Sequence, residues 1–252
     1  MIHKIEADDL PTAWAKAFIE CYEAPYSCIM PMIVKFKVTD DNTWDNGIKN
    51  LLNNNLKKSD EFSTETVRNT IFPELLWKTS NGNRGLLYAK YLKIWPRLRK
   101  TQQNRLGSYF KRLIAFGTET NSINQIEKII DTWQHGTHRK SALQATIFNP
   151  FEDISKAPRR GFPCLQQVVF VPYGSNGTKG LSIVGFYASQ DSYRKAFGNY
   201  WGLMCLGRYV ADAMGLSLKE VCCIASNYTI KDTKTKLKPL YNSLKEILKN
   251  EV

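Results

Sequence analysis

The stretch FYASQDSYRKAFGNYW, residues 186 to 201, decides how this chain is expected to fold. It leaves an apolar, strand-like segment and enters the longest helix that the sequence predicts, from about residue 199 to residue 214. Gly215 suits the end of this helix, because glycine adopts the left-handed backbone at which many helices stop. Asp191 and Asn199 stand at the junction, where by themselves they are typical of a turn and of a helix N-cap.

Strand patterns precede this stretch. ALQATIFNP, CLQQVVFVP and LSIVGFYA are apolar segments, and the polar turn over residues 174 to 180 predicts a hairpin between the last two. The other predicted elements are helices over 10 to 22, 44 to 57, 63 to a break at Pro73, 125 to 134 and at the C-terminus, and strands over 31 to 40 and 220 to 230. Without a repeat or a linker, residues 1 to 252 are expected to form one α+β domain.

The composition limits the class of protein. With 252 residues, 43% of them hydrophobic, the chain is long and apolar enough to bury a core. No apolar run approaches the roughly 20 residues that span a bilayer, and the N-terminus lacks the apolar centre of a signal peptide. We therefore expect a soluble, cytoplasmic protein without a membrane partner. The six cysteines show no CxxC pair and no metal-like spacing, so reduced thiols and no metal site are expected.

The net charge of +12 is compatible with a nucleic-acid partner, with an anionic small substrate, or with a lysine-rich surface alone. Part of the excess lies in KIWPRLRKTQQNRLGSYFKR, residues 93 to 112, where basic and aromatic residues interleave as they do in single-strand-binding grooves. Enzymes that act on phosphorylated ligands are basic too. The stretch therefore does not decide between a polymer and a small anion.

Several further motifs stand in a fixed order around the opening stretch. Pro163-Cys164 begins a predicted strand, where a cysteine is usually only part of the core. The other motifs are IFPELLWKTSNGN with Glu74, the pair Ile94-Trp95, RLGSYFKRL with Tyr109, the strand end Phe148-Asn149-Pro150, and SNYTI with Tyr228. Any one of these is common by chance, but the ordered set from residue 71 to residue 230 is not.

This ordered set resembles the thymidylate synthase family. The opening stretch is similar to that family's Tyr-Gln-Arg-Ser-x-Asp segment with an asparagine eight residues after the aspartate, and IFPELLWK is similar to its Glu-Leu-Leu-Trp helix end. The resemblance implies a thymidylate synthase-like α+β fold, with a mixed sheet covered by helices and with sheets packed back to back in a homodimer. Residues 1 to 60 show no match, and no arginine- and glycine-rich phosphate loop is found there.

The implied activity is transfer of a one-carbon unit, methyl or hydroxymethyl, to C5 of a pyrimidine nucleotide, with 5,10-methylenetetrahydrofolate as the cofactor. C5 becomes a nucleophile when a thiolate adds to C6, and Cys164 is implied as that thiol. Nearby cations must lower the pKa of a cysteine for this role. Arg159 or Arg160 could supply the charge, or both could be ordinary surface residues.

The resemblance implies the remaining roles. Glu74 would hold a water network at the C4 oxygen, and Tyr109 would assist removal of the C5 proton. Because an amide can pair with both the N–H and the carbonyl of a uracil, Asn199 favours uracil over cytosine. The binding residues implied are Asp191 and Trp95 for the folate, and Ser189, Asn199, Tyr228, Arg139, Lys140, Arg159 and Arg160 for the nucleotide.

Several positions depart from the family. The arginine of the Tyr-Gln-Arg-Ser segment is Ala188, the arginine pair before the Asn-Pro strand end falls on Ser141 and Ala142, and two histidines are Leu165 and Ser226. Three explanations stay open: a different substrate, such as a ribonucleotide, a nucleoside or a modified pyrimidine; a base within a nucleic acid; or a catalytically reduced relative that binds a nucleotide or a partner. Retention of the residues that perform the chemistry argues against the third explanation, and the first is favoured.

Overall fold

The structure is a computed structural model that describes residues 3–39, 44, 46–102, 104–118, 120–136, 139–156, 162–174 and 180–250. Arg159 and Arg160, and residues 175 to 179 of the predicted hairpin turn, lie outside these ranges. Within them the α-helices are α1 (Leu10–Glu23), α2 (Gly47–Lys58), α3 (Thr64–Ile71), α4 (Glu74–Lys78), α5 (Arg84–Leu98), α6 (Tyr109–Ile114), α7 (Gln125–Gln134), α8 (Pro150–Asp153), α9 (Phe197–Met214) and α10 (Lys234–Asn250).

The strands form one large sheet and two small ones. Their ranges are β1 (His3–Ala7), β2 (Cys28–Ile29), β3 (Met32–Lys37), β4 (Phe116–Gly117), β5 (Ser122–Ile123), β6 (Gln144–Thr146), β7 (Leu165–Tyr173), β8 (Gly180–Tyr187), β9 (Gln190–Asp191), β10 (Ser217–Ala225) and β11 (Tyr228–Thr229). The large sheet has the order β1-β3-β10-β8-β7-β6, and the small sheets are β2-β11-β9 and β4-β5. In the large sheet β1 and β3 are parallel, as are β10 and β8, while the other neighbours are antiparallel. The expected mixed α and β architecture with a mixed sheet is confirmed.

One face of the large sheet packs against α9. On β8, Ile183, Gly185 and Tyr187 belong to this face, and Ile183 and Tyr187 are fully buried. Gly185 permits close packing, since a Cβ there would lie 2.5 Å from the Cδ1 of Leu203 on α9. The opposite face leaves Phe186 42% exposed. The sheet therefore has one fully covered side and one that is partly open.

Local sequence signals placed most helix ends correctly. Asp9 accepts a hydrogen bond from the backbone N–H of Thr12 at the start of α1, and Asn124 caps α7 in the same way. Pro73 separates α3 from α4, as expected. Gly215 has φ +69° and ends α9. Helix α9 begins two residues earlier than expected because a π-helical turn, Ser192–Ala196, leads into it.

Several elements differ from the sequence expectations. The strand expected over residues 220 to 230 is divided between β10, which starts at Ser217 and ends at Ala225, and β11 in a small sheet. Strand β10 buries only alternate residues, because one side of the sheet is partly open. Helices α5, α6 and α8, strand β1 and the two-residue strands β2, β4, β5 and β9 were not predicted. Helix α5 buries only three side chains and contains Pro96, so its apolar pattern is weak.

The six cysteines are free thiols. Among the described helices, none combines the length with the apolar character that a bilayer crossing requires.

Candidate active site

One cavity of about 300 Å³ gathers side chains from distant parts of the chain. Tyr109 reaches it from the first turn of α6, and Cys164 from the residue before β7. Ser189 and Asp191 come from the link between β8 and α9, and Asn199 from the first turn of α9. Five predicted site residues from three separate segments therefore line one volume.

Cys164 is held by its backbone. Its N–H donates to the hydroxyl of Tyr109 at 3.3 Å, and its carbonyl accepts the N–H of Ala188 at 2.9 Å. The ring of Tyr109 packs on that of Phe162, with centroids 5.1 Å apart. The backbone of Cys164 is therefore held between α6 and the residue after β8.

The charge around the thiol comes from lysines. Burial raises the pKa of the Cys164 thiol, whereas the ammonium groups of Lys231 and Lys195 act to lower it. The negative charge of Asp191, like burial, raises the pKa of the thiol. Arg159 and Arg160 lie outside the described residues, and among the described residues Lys195 and Lys231 are the cations that lower the pKa of the thiol.

Neither lysine was predicted from the sequence. Lys195 is half-buried, with its Nζ 5.2 Å from the ring centroid of Phe62, and burial lowers the pKa of its amine. A signal was available, since Lys195 lies between Asp191 and Asn199 in the opening stretch. Lys231 follows Tyr228 by three residues, but only the pairing of β11 with β9 brings it to the cavity.

The side chain of Asp191 is buried, and one of its two carboxyl oxygens accepts hydrogen bonds. Its Oδ1 accepts the backbone N–H groups of Tyr193 at 3.1 Å and Arg194 at 2.9 Å, so the turn role expected for this residue is seen. Burial raises the pKa of Asp191, with the hydrogen bond and charge of Arg194 opposing. Its Oδ2 accepts no hydrogen bond from the described residues, and lies 4.0 Å from Nη1 of Arg194. One carboxyl oxygen is therefore open to a ligand.

Asn199 is 4% exposed and lines the cavity, yet its side-chain amide makes no hydrogen bond to the described residues. It does not cap α9, because the π-helical turn and the first residues of α9 precede it in one continuous helix. The amide is free to pair with a ligand.

The structure places other predicted residues outside the cavity. Tyr228 is fully buried in the core, where its hydroxyl accepts from Ser192 Oγ at 3.0 Å. Glu74, at the start of α4, is ion-paired with Arg68 and with Lys78. Arg139 is exposed at the start of a 3₁₀ turn that also contains Lys140.

Trp95 lies in a groove beside the cavity and does not line the cavity itself. It stacks on Tyr91 and lines a groove of about 470 Å³ that also includes Arg99 and Lys111. The groove and the cavity share Gly107 and Ser108. The groove and the cavity therefore adjoin each other at these two residues.

Only glycine suits residue 107, where the groove and the cavity adjoin. Its φ is +138°, and a Cβ there would lie 2.5 Å from the Phe162 ring. Phe162 therefore packs directly on the backbone of residue 107, beside the thiol.

No lysine or arginine of the basic stretch, residues 93 to 112, is among the described residues that line the cavity. Lys93 and Arg97 are exposed on α5, and Lys100 is exposed just beyond its end. Arg99 lines the neighbouring groove. Arg112, at the end of the stretch, is buried and ion-paired with Glu152 and Asp153. The charge of Lys93, Arg97, Arg99 and Lys100 faces the outer surface and the groove.

The cavity brings together a thiol, a phenol, a carboxyl group, an unpaired amide and two amines. This set can add a sulfur nucleophile to an electrophilic ring carbon, stabilise negative charge beside it and pair with a ring amide. In comparisons with known proteins, no family model matches the chain and no curated protein matches its sequence.

Proposed function

We propose that this protein transfers a one-carbon unit from methylenetetrahydrofolate to C5 of a pyrimidine nucleotide of the uracil type, with Cys164 as the nucleophile. A thymidylate synthase-like fold and a homodimer with sheets back to back belong to the same proposal. The supporting observation is that Tyr109, Cys164, Ser189, Asp191 and Asn199 line one cavity.

The thiolate of Cys164 forms a bond to C6, and the C5–C6 π electrons move toward the C4 oxygen as an enolate. Asn199 donates to that oxygen through its amide N–H and accepts from the ring N3–H. After C5 has gained the carbon, the electron pair of the C5–H bond would break the bond between that carbon and the carrier nitrogen, which leaves a methylene group on C5. A hydride, for a methyl product, or water, for a hydroxymethyl product, would then add to the methylene, the C5–C6 double bond would return, and sulfur would leave C6 with its electron pair. Lys195 and Lys231 favour the thiolate at the start and at the end of this sequence.

Tyr109 acts as a donor in this scheme. Burial raises the pKa of its phenol, so the phenol keeps its proton at neutral pH. It can therefore assist departure of the C5 proton by orienting an acceptor, while its oxygen holds the Cys164 N–H. Glu74 does not line the cavity, and its predicted part in proton movement stays a prediction.

The residues present fit a folate. Asp191 offers a buried carboxyl oxygen without a hydrogen-bond partner among the described residues, which suits the N–H groups of a pterin. Trp95 offers an aromatic surface in the groove that meets the cavity at Gly107. When bound, the folate supplies the electrophilic carbon and, for methyl transfer, a hydride. Asp191 and Trp95 would hold it.

The open face of the sheet supports the homodimer. Phe186 and Val171 are 42% and 38% exposed there, and Val184 and Ile224 are half-buried on the same face. Apolar side chains on a sheet face are stabilised when a second sheet covers them.

Tritium release from 5-tritiated nucleotides tests the reaction directly. Uridine, deoxyuridine and cytidine nucleotides would each be incubated with the folate and the wild-type protein, with Cys164→Ser as the control. We expect release from a uracil nucleotide and none from the variant. Release from no nucleotide, together with equal ligand binding by both proteins, would overturn the proposal.

A base within a single-stranded nucleic acid is the second candidate substrate. Residues 75 to 118 contain ten Lys or Arg and no Asp or Glu, and therefore supply ten of the twelve net positive charges (35 − 23 = 12). Lys93, Arg97 and Lys100 are exposed beside the groove that adjoins the cavity. If these cations contact phosphates, affinity for single strands falls steeply as salt rises. An affinity that does not depend on salt would remove this candidate.

A further inference from the structure

We propose that Lys195 is the base of the transfer, the residue that accepts the proton from C5 of the pyrimidine. This inference rests on the function proposed above, in which C5 gains carbon and loses its hydrogen. Tyr109 can orient a proton acceptor there, and Lys195 supplies that acceptor from within the same cavity.

Lys195 belongs to the side chains around the thiol. Both residues line the cavity, and each shifts the pKa of the other. In the adduct the sulfur of Cys164 is bonded to C6, and C6 is bonded to C5. A base for the C5 proton must therefore come from the side chains around the thiol.

The amine of Lys195 is not held by a carboxylate. It forms no ion pair with the described residues, and its Nζ lies 5.2 Å from the ring centroid of Phe62. An aromatic ring is a weaker partner for an ammonium ion than a carboxylate is. The proton on Lys195 is therefore held less firmly than it would be in an ion pair.

The neighbouring arginine engages the carboxylates of this region instead. Nε of Arg194 lies 2.9 Å from Oε1 of Glu61, and its Nη2 lies 2.8 Å from Oδ2 of Asp232. Its Nη1 lies 4.0 Å from Oδ2 of Asp191. The negative charges beside Lys195 are therefore shared with Arg194, and the amine keeps its lone pair for another task when it is neutral.

The other titratable groups of the described lining suit the role less well. Burial raises the pKa of the Tyr109 phenol, which keeps its proton at neutral pH and cannot accept a second one. Glu61 is ion-paired with Arg194. Asp191 holds two backbone N–H groups with one oxygen and is proposed to hold the pterin with the other.

Lys231 keeps a positive charge near the thiol when Lys195 is neutral. It is exposed, so water solvates its ammonium group, and its charge acts on Cys164 more strongly than that of Lys195 does. Its neighbour Asp232 is paired with Arg194, which brings Lys231 to the side of Lys195. The two lysines therefore divide two tasks, a lasting charge at Lys231 and proton transfer at Lys195.

The proton on Lys195 follows the charge on sulfur. Burial lowers the pKa of Lys195, as does the charge of Arg194, whereas Asp191, Glu61 and the Cys164 thiolate raise it. When the sulfur bonds to C6, the thiolate charge is lost from the sulfur, and Lys195 releases its proton to water.

The neutral amine then takes the C5 proton. An N–H bond forms, the C5–H bond breaks, and its electron pair breaks the bond to the carrier nitrogen, which receives a proton from water. The ammonium ion formed in this way stabilises the thiolate when sulfur leaves C6.

Lys195→Arg and Lys195→Met test the base in the tritium-release assay. A guanidinium keeps the positive charge but does not give up its proton in proteins, so it cannot accept one from C5. We expect both variants to release tritium at least about a hundredfold more slowly than the wild type. A purely electrostatic role predicts instead that arginine restores most of the rate.

Rescue by an added amine reports on proton transfer itself. In Lys195→Ala, methylamine should raise tritium release at least about tenfold, in proportion to the concentration of the free amine. Tetramethylammonium carries a charge but accepts no proton, and should have no effect. Lys238→Ala removes an exposed lysine of α10 outside the described cavity lining, and should keep the wild-type rate without added amine.

A 5-fluoro nucleotide separates the base from the nucleophile. Its C5 carries no hydrogen, so its reaction with the folate should stop at a covalent adduct on Cys164, which intact-protein mass spectrometry detects. The Lys195 variants should form this adduct, and Cys164→Ser should not. Formation of the adduct also shows that a variant is folded.

The outcomes separate this inference from the proposed reaction. Adduct formation without tritium release in Lys195→Arg, with rescue of Lys195→Ala by methylamine, would support the base. Release at the wild-type rate from Lys195→Arg, or no rescue in an alanine variant that forms the adduct, would overturn the base and leave the reaction standing. A wild type that forms no adduct and releases no tritium would overturn both.

Discussion

The hydroxyl of Tyr109 accepts the backbone N–H of Cys164 at 3.3 Å, which ties the first turn of α6 to the residue before β7. Both groups are buried or half-buried, and both line the cavity. One hydrogen bond therefore contributes to the stability of the fold and also fixes the proposed nucleophile.

Tyr109→Phe should reduce both stability and activity. The Cys164 N–H would lose its acceptor, and an unsatisfied buried donor costs about 1–3 kcal/mol. Urea unfolding would measure this loss of stability. The rate of tritium release should fall at least about tenfold, because a residue that assists proton transfer is removed. Tyr26→Phe is the matched control, because Tyr26 is 99% exposed. A Tyr109→Phe protein with unchanged stability would contradict the hydrogen bond.

Lys195→Met should raise the pH at which Cys164 becomes reactive. The ammonium group lowers the pKa of the thiol, so its removal moves the pKa upward and leaves less thiolate at a given pH. The rate of iodoacetamide alkylation at the Cys164 peptide, followed by mass spectrometry from about pH 6 to about pH 10, reports this midpoint. Lys195→Arg should resemble the wild type. A midpoint that stays in place in the Met variant would exclude the electrostatic contact.

Asp191→Asn should stabilise the protein at neutral pH and abolish the proposed transfer. Burial raises the pKa of Asp191 in the folded state, so the stability that this group contributes is present at low pH and is lost as pH rises through the raised pKa. The asparagine side chain still offers an oxygen to the N–H groups of Tyr193 and Arg194. Urea unfolding from about pH 4 to about pH 8 should show a gain for the Asp191→Asn variant that shrinks toward the acid end. A gain that is constant with pH would contradict the titration.

Phe186→Glu should dissociate the proposed dimer. The substitution places a charge on the open sheet face, where a covered carboxylate without a partner costs several kcal/mol. Light scattering on a sizing column would show the wild type as a dimer and the variant as a monomer. Tyr26→Glu, at another exposed aromatic residue, should leave the dimer intact. A monomeric wild type at micromolar concentration would refute the packing of sheets back to back.

The local features of this chain followed from the sequence because they depend on neighbouring residues. Asp9 and Asn124 begin helices through hydrogen bonds within one turn, and Gly215 ends a helix through its backbone angle. The alternation in β7 and β8 likewise follows from the strands themselves. Asp191 and Asn199 were expected at a site only because of the resemblance, since their local pattern is typical of a turn and of a helix N-cap. Helix α5 and strand β1 escaped prediction, since each buries too few side chains to show a clear apolar period.

Only the tertiary structure decided which side chains share the cavity. Tyr109 meets Cys164 because α6 packs beside the end of β7, and Lys231 meets Lys195 because a salt bridge joins Arg194 to Asp232. Tyr228, predicted to bind the nucleotide, is instead in the core, since the pairing of β11 between β2 and β9 turns it inward. Contacts between segments so far apart depend on packing across the whole domain, which a short sequence pattern does not contain.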